Sequence, residues 1–558
     1  MLRTAFPGRA MHLVIHRAPF LSLLVVAAAA LAPRAAAQAV EDQSAPLTER
    51  ERAVHLLSRF AYGARPGEID RVLAMGVDAW LDAQFEPAQL ADAALQGRLS
   101  EFESLKFTAA DLEGVYRRPL RPDATDEERR EYNRKTRIPR TELLNSVVLR
   151  AVASERQLLE VMSDFWRNHL NVSYTKGRQI DTFLTPYERD VVQANALGSF
   201  PEMLAASAHH PAMLIYLDNY LSRRPPTNAE LNKVKRAAEA RTGSRAQAIQ
   251  AVALAEQNGL NENYARELLE LHTLGVDNGY SQRDVVALAE ALTGWSFDRG
   301  NKCSFRFRND MHQHGDRRVL GRRFSDNSSD GRNQGEAILA YLGAHKGTAE
   351  FIATKLVRYL VNDEPPAALV AEVAKTYARS DGDVRAMLRT IVASEDFWAR
   401  RNFRAKFKTP WEFVVSALRA TGARVDDPEE LLRRLTDMGQ PLYHCDDPTG
   451  WYDTAYAWLD PGVLAQRWQF ALDLAEGRIK GVTLPEDLFD DIPEGAPPRS
   501  WQVHLTEKVV PGGAGTRTRD ALTSLMDEYL VDARVPDLHR VGPQLLGMLI
   551  GSPEFQRQ

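Results

Sequence analysis

"SERQLLEVMSDFWRNHL", residues 154–170, decides the fold class. Leu158, Met162, Phe165 and His169 fall at i, i+4, i+7 and i+11, the spacing that lays one apolar stripe along an α-helix. The same period recurs in both directions along the chain. "ERAVHLLSRFAYG" places Val54, Leu57 and Phe60 on one side, and "PGEIDRVLAMGVDAWLDAQF" does so with Ile69, Leu73 and Trp80. "SQRDVVALAEALTGW" starts at Ser281, a good N-cap, and stops at Gly294. Farther on, "TAEFIATKLVRYLV", "DGDVRAMLRTIVASEDFW", "TPWEFVVSALRATG" and "VGPQLLGMLIGSPEF" are amphipathic with helix punctuation. The expected fold is mainly α, one large helical domain over residues 47–558. One exception interrupts it: "CSFRFR" alternates and "RRVLGRRF" follows a turn-rich stretch, which predicts a small inserted β-hairpin near 303–324. Two charged or Ala-rich stretches, 117–140 and 222–257, read as flexible insertions, the second with the propensity of a solvent-exposed helix.

The N-terminus has the layout of a secretory signal. Arg3, Arg9 and Arg17 precede an apolar run at 19–32, and small residues follow at Ala35, Ala36 and Ala37. The run falls short of the ~20 apolar residues a membrane span needs, and no later stretch reaches that length. Residues 1–37 are therefore expected to be removed, leaving a periplasmic or secreted protein with no membrane span. Losing four arginines unaccompanied by any acid takes the formal net charge from -5 to -9. Such a chain lacks the basic footprint of a nucleic-acid or anionic-membrane binder. Its only cysteines, Cys303 and Cys445, are expected to form a disulfide in an oxidising compartment.

Several stretches in order, "HLLSRFAYGARPGEI", "FWRNHLNVS", "NENYARELLELHTLGVDNGYSQRDV", "ALTGW", "MHQHGDRRVLG", "MGQPL" and a closing "SPEF", carry a family likeness. Over about residues 50–558 the chain resembles the bacterial family called domain of unknown function 1800. The resemblance implies exported, mostly helical proteins, often encoded beside an exported sulfatase- or phosphatase-like partner, and it brings no established reaction. This chain departs from the family pattern where a His-Asp pair reads His312-Gln313, and where "YHCDDPTGW" follows "MGQPL".

Residues 261–275, "NENYARELLELHTLG", are the most recognisable of these stretches. On a helical wheel Glu262, Asn263, Arg266, Glu267 and Glu270 share one arc, opposite Tyr264, Ala265, Leu268 and Leu271. A solvated face with i, i+4 ion pairs explains the arc, and so does a polar wall holding carboxylates at fixed spacing for acid–base work. On the second reading Glu262, Glu267 and Glu270 are the catalytic candidates. Asn263, Arg266, Asn168, His169, His272, Trp295 and His312 are then the candidates to touch substrate. His169 and His272 lie on apolar stripes, where a hydrogen-bonded core histidine is the ordinary occupant. His312 and His314 form an H-x-H pair that His444, Cys445 and Asp446 could extend, but the spacing matches no zinc signature, so no metal or other cofactor is expected. No GxSxG, P-loop, Rossmann glycine or HExxH pattern is present, which removes the commonest serine hydrolases, nucleotide enzymes and zincins. Two functions remain: an exported carboxylate-dependent hydrolase or lyase acting on an envelope or environmental polymer such as a polysaccharide, or a non-catalytic binding partner of an exported sulfatase- or phosphatase-like protein.

Overall fold

A computed structural model describes residues 45–558 apart from 178, 258, 299–302, 327–329, 494 and 531–536; the expected signal peptide at 1–37 lies outside the described residues. The periodic segments are helices with the predicted punctuation. The opening stripe forms Gln157–His169, and Thr48 begins Glu49–Phe60 with a capping box closed by Glu51. Ser281 opens Gln282–Ala291 in the same way with Asp284. Gly76, with φ +89°, divides "PGEIDRVLAMGVDAWLDAQF" into two helices, Glu68–Met75 and Val77–Phe85. "TIVASEDF" and "MLIGSPEF" prove to be the same local device. In each a serine hydroxyl, Ser394 or Ser552, accepts from the backbone N–H three residues on, at 3.2 Å.

Residues 46–558 form one compact unit, because segments distant in sequence interleave. Phe60 of the first described helix meets Phe397 edge to face at 5.6 Å, and Trp411 donates its indole N–H to the Tyr62 hydroxyl at 3.1 Å. Lys406 and Gln558 exchange two backbone hydrogen bonds. The C-terminal helix Leu538–Gly551 lies tightly on Pro461–Ala475, with Gly547 against Leu472 and Gly551 against Trp468. The stretch at 222–257 is a pair of packed helices, Asn228–Thr242 and Arg245–Gln257, and 117–140 contains the helix Asp126–Lys135. Among the described residues no helix is long and apolar enough to cross a membrane.

The β structure differs from the expected single hairpin. "RRVLGRRF" does fold on itself, Arg317–Val319 against Arg322–Phe324, but Phe305–Phe307 pairs backwards with Trp295–Phe297. The reason is burial: Trp295, Ser296 and Phe297 are all buried and supply an apolar partner strand that the turn-rich 308–316 does not. The tight turn places Leu320 and Gly321 at φ +49° and +77°, as a two-residue hairpin demands. The Asp284 carboxylate holds the unfavourable leucine by accepting its N–H at 2.7 Å. A third short pair, Arg424–Val425 with Val482–Thr483, has no clear sequence signal.

The expected disulfide is absent: Cys303 and Cys445 are buried thiols not bonded to each other. Each is fixed by its own surroundings. Cys303 precedes the 305–307 strand in left-handed backbone, φ +45°, while the Cys445 carbonyl is bound by Asn171 and its thiol points to the Asp447 carbonyl. Burial pushes the Cys445 thiol up to about 11 and raises that of Cys303. Count and compartment suggested the pair, but neither constrains the Cα separation a disulfide requires.

Gly335 tests how tightly this core is closed. A Cβ there would stand 2.6 Å from the ring of wholly buried Trp295, whereas one at helical Gly114 would meet nothing within 4 Å. Gly335→Ala is expected to destabilise by about 1–3 kcal/mol and Gly114→Ala to be neutral or stabilising. Thermal melts of the two variants check this, and equal effects would contradict it.

Candidate functional site

The end of the Gln157–His169 helix and the residues just after it carry three side chains that reach to other parts of the chain. Asn168 clamps the backbone of Trp451 from both sides: its amide donates to the Trp451 carbonyl at 2.9 Å and its oxygen accepts the Trp451 N–H at 2.6 Å. The approach is so close that a Cβ at Gly450 would lie 2.5 Å from the Asn168 side-chain oxygen, and Gly450 takes φ +77°. Asn171 donates to the carbonyls of Cys445 and Asp447 and to the Tyr216 hydroxyl. Tyr216 in turn donates to the Asp446 carbonyl at 3.1 Å. His169 donates its Nε2–H to the His272 carbonyl at 3.1 Å. One helix end therefore fixes both the loop at 443–453 and the segment that holds the polar arc.

That segment is two kinds of helix. Asn263–Glu267 is α, and Leu268–Thr273 widens to a π turn, with Leu274 N–H bonding back to the Leu269 carbonyl at 2.9 Å. Its polar side is half exposed and internally paired. Arg266 bridges Glu262 at 3.4 Å and Glu270 at 3.3 Å and donates to Gln282 at 2.7 Å, while Gln282 donates back to Glu262 at 2.6 Å. Asn263 is exposed, and its amide donates to the Leu217 carbonyl at 3.3 Å. Glu267 stands apart from these pairs. Half-buried, and next to the carboxylates of Glu270 and Asp447, it has its carboxyl raised above the ordinary value, burial being the larger cause.

The other predicted contacts lie inside. His169 and His272 are buried, and desolvation lowers both: His169 falls well below the ordinary imidazole range and His272 to about 3, so both are neutral. The Lys355 ammonium nearby depresses both further. Trp295 is wholly enclosed, stacked on His209 with ring centres 4.8 Å apart, and offers no platform to a sugar. His312 belongs to a different group, with His314 and Asp326. The structure thus brings Glu267, Glu270 and Arg266 to one rim and makes Asn168 and His169 its supports.

Several contributors escaped the sequence reading. Beneath the 443–453 loop lies a buried charge network in which Glu188 accepts from Arg167 at 2.8 and 3.1 Å, from Arg150 at 3.0 Å and from the Tyr443 hydroxyl. The two guanidiniums outweigh burial and hold the Glu188 carboxyl below its ordinary value. Tyr443 sits at φ +55° to make this contact. At the end of the loop and just past it the chain exposes large side chains: Tyr452 is 65% and Tyr456 92% accessible, and Leu459 is exposed as well. Their backbone is pinned from below, since Trp451, Ala455 and Trp458 pack on Phe407 and Leu464, and Trp458 donates to the Tyr452 carbonyl at 3.0 Å. Asp453 pairs with Lys355 at 3.8 Å and its carbonyl accepts from Lys406 at 3.1 Å. The outer face of this rigid loop carries Asp446 and Asp447, both exposed.

Residues 55–557 match the family described as "Protein of unknown function (DUF1800)", and the chain belongs to that family. No curated protein and no solved structure matches the chain.

The Glu267 environment makes a signed prediction. A carboxyl raised in the folded state binds its proton more tightly there, so its ionisation costs stability as pH rises through the folded value. Glu267→Gln is therefore expected to melt higher than the parent protein at about pH 8, with the difference closing by about pH 4. A difference independent of pH, or a Gln variant less stable at the higher pH, would contradict this placement of Glu267.

Proposed function

We propose that this member of the family is an exported binding protein that works without a catalytic step and presents the 443–459 loop to an exported sulfatase- or phosphatase-like protein. One observation carries the reading. Asn168, which looked chemical, spends its amide on both backbone groups of Trp451, His169 gives its Nε2–H to the His272 carbonyl, and the loop Asn168 clamps leads to solvent-exposed Tyr452 and Tyr456. Fixed, exposed tyrosines are the anchors interfaces favour, because they offer large contact area with little entropy left to lose. Asp446 and Asp447, both exposed, make the loop's outer face acidic, so the partner face it suits is basic. Export and this choice of partner rest on the signal-like N-terminus and on the family resemblance.

A second reading keeps the carboxylate enzyme acting on a polymer such as a glycan, and the raised carboxyl of Glu267 favours it. A half-buried acid next to ionisable neighbours is the arrangement of a general acid.

The two readings separate on two variants. In the binding reading, Tyr452→Ala with Tyr456→Ala weakens capture of the purified partner by at least about tenfold, roughly 1.4 kcal/mol, with an unchanged melting temperature. Glu267→Gln leaves that capture intact. If the double variant binds as the parent does, the binding reading fails. If the parent cleaves a polysaccharide and Glu267→Gln abolishes it, the enzyme reading replaces it.

A further inference from the structure

A second group of side chains, away from the loop, has the makings of a metal centre. His312, His314 and Asp326 each bring one ligand atom to within 4.8 Å of the others. His312 is wholly buried, and its Nδ1 lies 2.9 Å from the Thr293 carbonyl. A carbonyl only accepts, so Nδ1 carries the proton and Nε2 keeps its lone pair. That Nε2 is buried and has no hydrogen-bond partner among the described residues. Asp326 repeats the pattern. Its Oδ2 accepts from the Gly315 N–H at 2.7 Å and from His314 Nδ1 at 3.0 Å, while its Oδ1 is buried without a partner among the described residues. Among the described residues two buried acceptors in one cluster lack any donor, which is the unmet demand a cation answers. The Nδ1–H to carbonyl bond is also the support that orients a metal-ligating histidine.

We infer that His312 Nε2, His314 and Asp326 bind a divalent transition-metal ion of the zinc class, with a further position open to water or an exogenous ligand. Two imidazoles and a carboxylate suit zinc, and three protein ligands leave a tetrahedral ion one free position. Bond lengths of about 2.1 Å put ligand atoms roughly 3.4 Å apart, so a cluster spanning up to 4.8 Å must contract by up to about 1.4 Å. His314 is two-fifths exposed and can turn to supply that movement. Space beside His312 is kept by Gly331, where a Cβ would stand 2.5 Å from Nε2. The nearby Arg317 does not oppose the ion with an unpaired charge, since Glu290 lies 2.6 Å from its guanidinium and the Gln313 carbonyl accepts from it. Asp316 buttresses the carboxylate by accepting the Asp326 N–H at 3.0 Å.

The test uses the full chain stripped with chelator and titrated with Zn2+, following stoichiometry by elemental analysis and coordination by the visible absorption of the Co2+ form. One ion per chain is expected, with tetrahedral Co2+ absorption. His314→Ala and Asp326→Asn should each weaken binding at least about tenfold, and His504→Ala should leave it unchanged. Because His314 is at the surface, His314→Ala decides the question even if Asp326→Asn fails to fold. Sub-stoichiometric zinc in the parent protein, or unchanged zinc affinity in His314→Ala or in a folded Asp326→Asn, overturns the proposal.

Discussion

Three polar side chains within four residues, Asn168, His169 and Asn171, each satisfy backbone groups that belong to other segments. Asn168 takes both hydrogen-bonding groups of Trp451, His169 takes the carbonyl of His272, and Asn171 takes the carbonyls of Cys445 and Asp447. Backbone groups withdrawn from water must find partners, and irregular loops have none of their own to offer. This helix end therefore supplies the loop at 443–453 with partners that a strand or helix would otherwise supply, and the Tyr174 N–H and Lys406 add donors to the Tyr443 and Asp453 carbonyls. Gly450 allows the approach, and the loop then delivers Tyr452, Asp446 and Asp447 to the surface.

The clamp in turn needs a fixed helix. Trp166 is wholly buried and donates to the Ala196 carbonyl at 3.0 Å, and Arg167 reaches under the loop to Glu188. A buried carboxylate with two arginines and a tyrosine hydroxyl is satisfied on every side, the condition under which buried charge is tolerable. Removing one partner would leave the rest uncompensated, so the network fixes geometry more than it adds stability. The polar arc at 262–270 completes the rim, its pairs with Gln282 tying it to the next helix.

The helices were legible because periodicity and caps act locally, as Ser281 illustrates, although the break at Gly76 within "PGEIDRVLAMGVDAWLDAQF" was not read. Pairing of "CSFRFR" was not, because strand partners are chosen by burial across the chain, and Trp295–Phe297 offered more of it. The polar arc was recognised, but a wheel of 100° per residue fails past Leu268, where the π turn adds a residue to the repeat. That wheel cannot state what lies opposite the arc either: the carboxyl of Glu267 is raised first by burial and then by Glu270 and by Asp447, 180 residues away. Asn171 stood within the quoted "FWRNHLNVS", yet nothing local tells a clamp from a ligand. The acceptors of His312 and Asp326 left without donors became visible only with three-dimensional partners assigned.

The central claim is that Asn168 and Asn171 hold the 443–453 loop in place, and amide hydrogen exchange measures it directly. In Asn168→Ala and Asn171→Ala, exchange should accelerate in the peptides covering 443–453. Protection of the Gln157–His169 and Leu538–Gly551 helices should stay at the parent level. Loop exchange unchanged from the parent, or protection lost evenly along the whole chain, would contradict the claim.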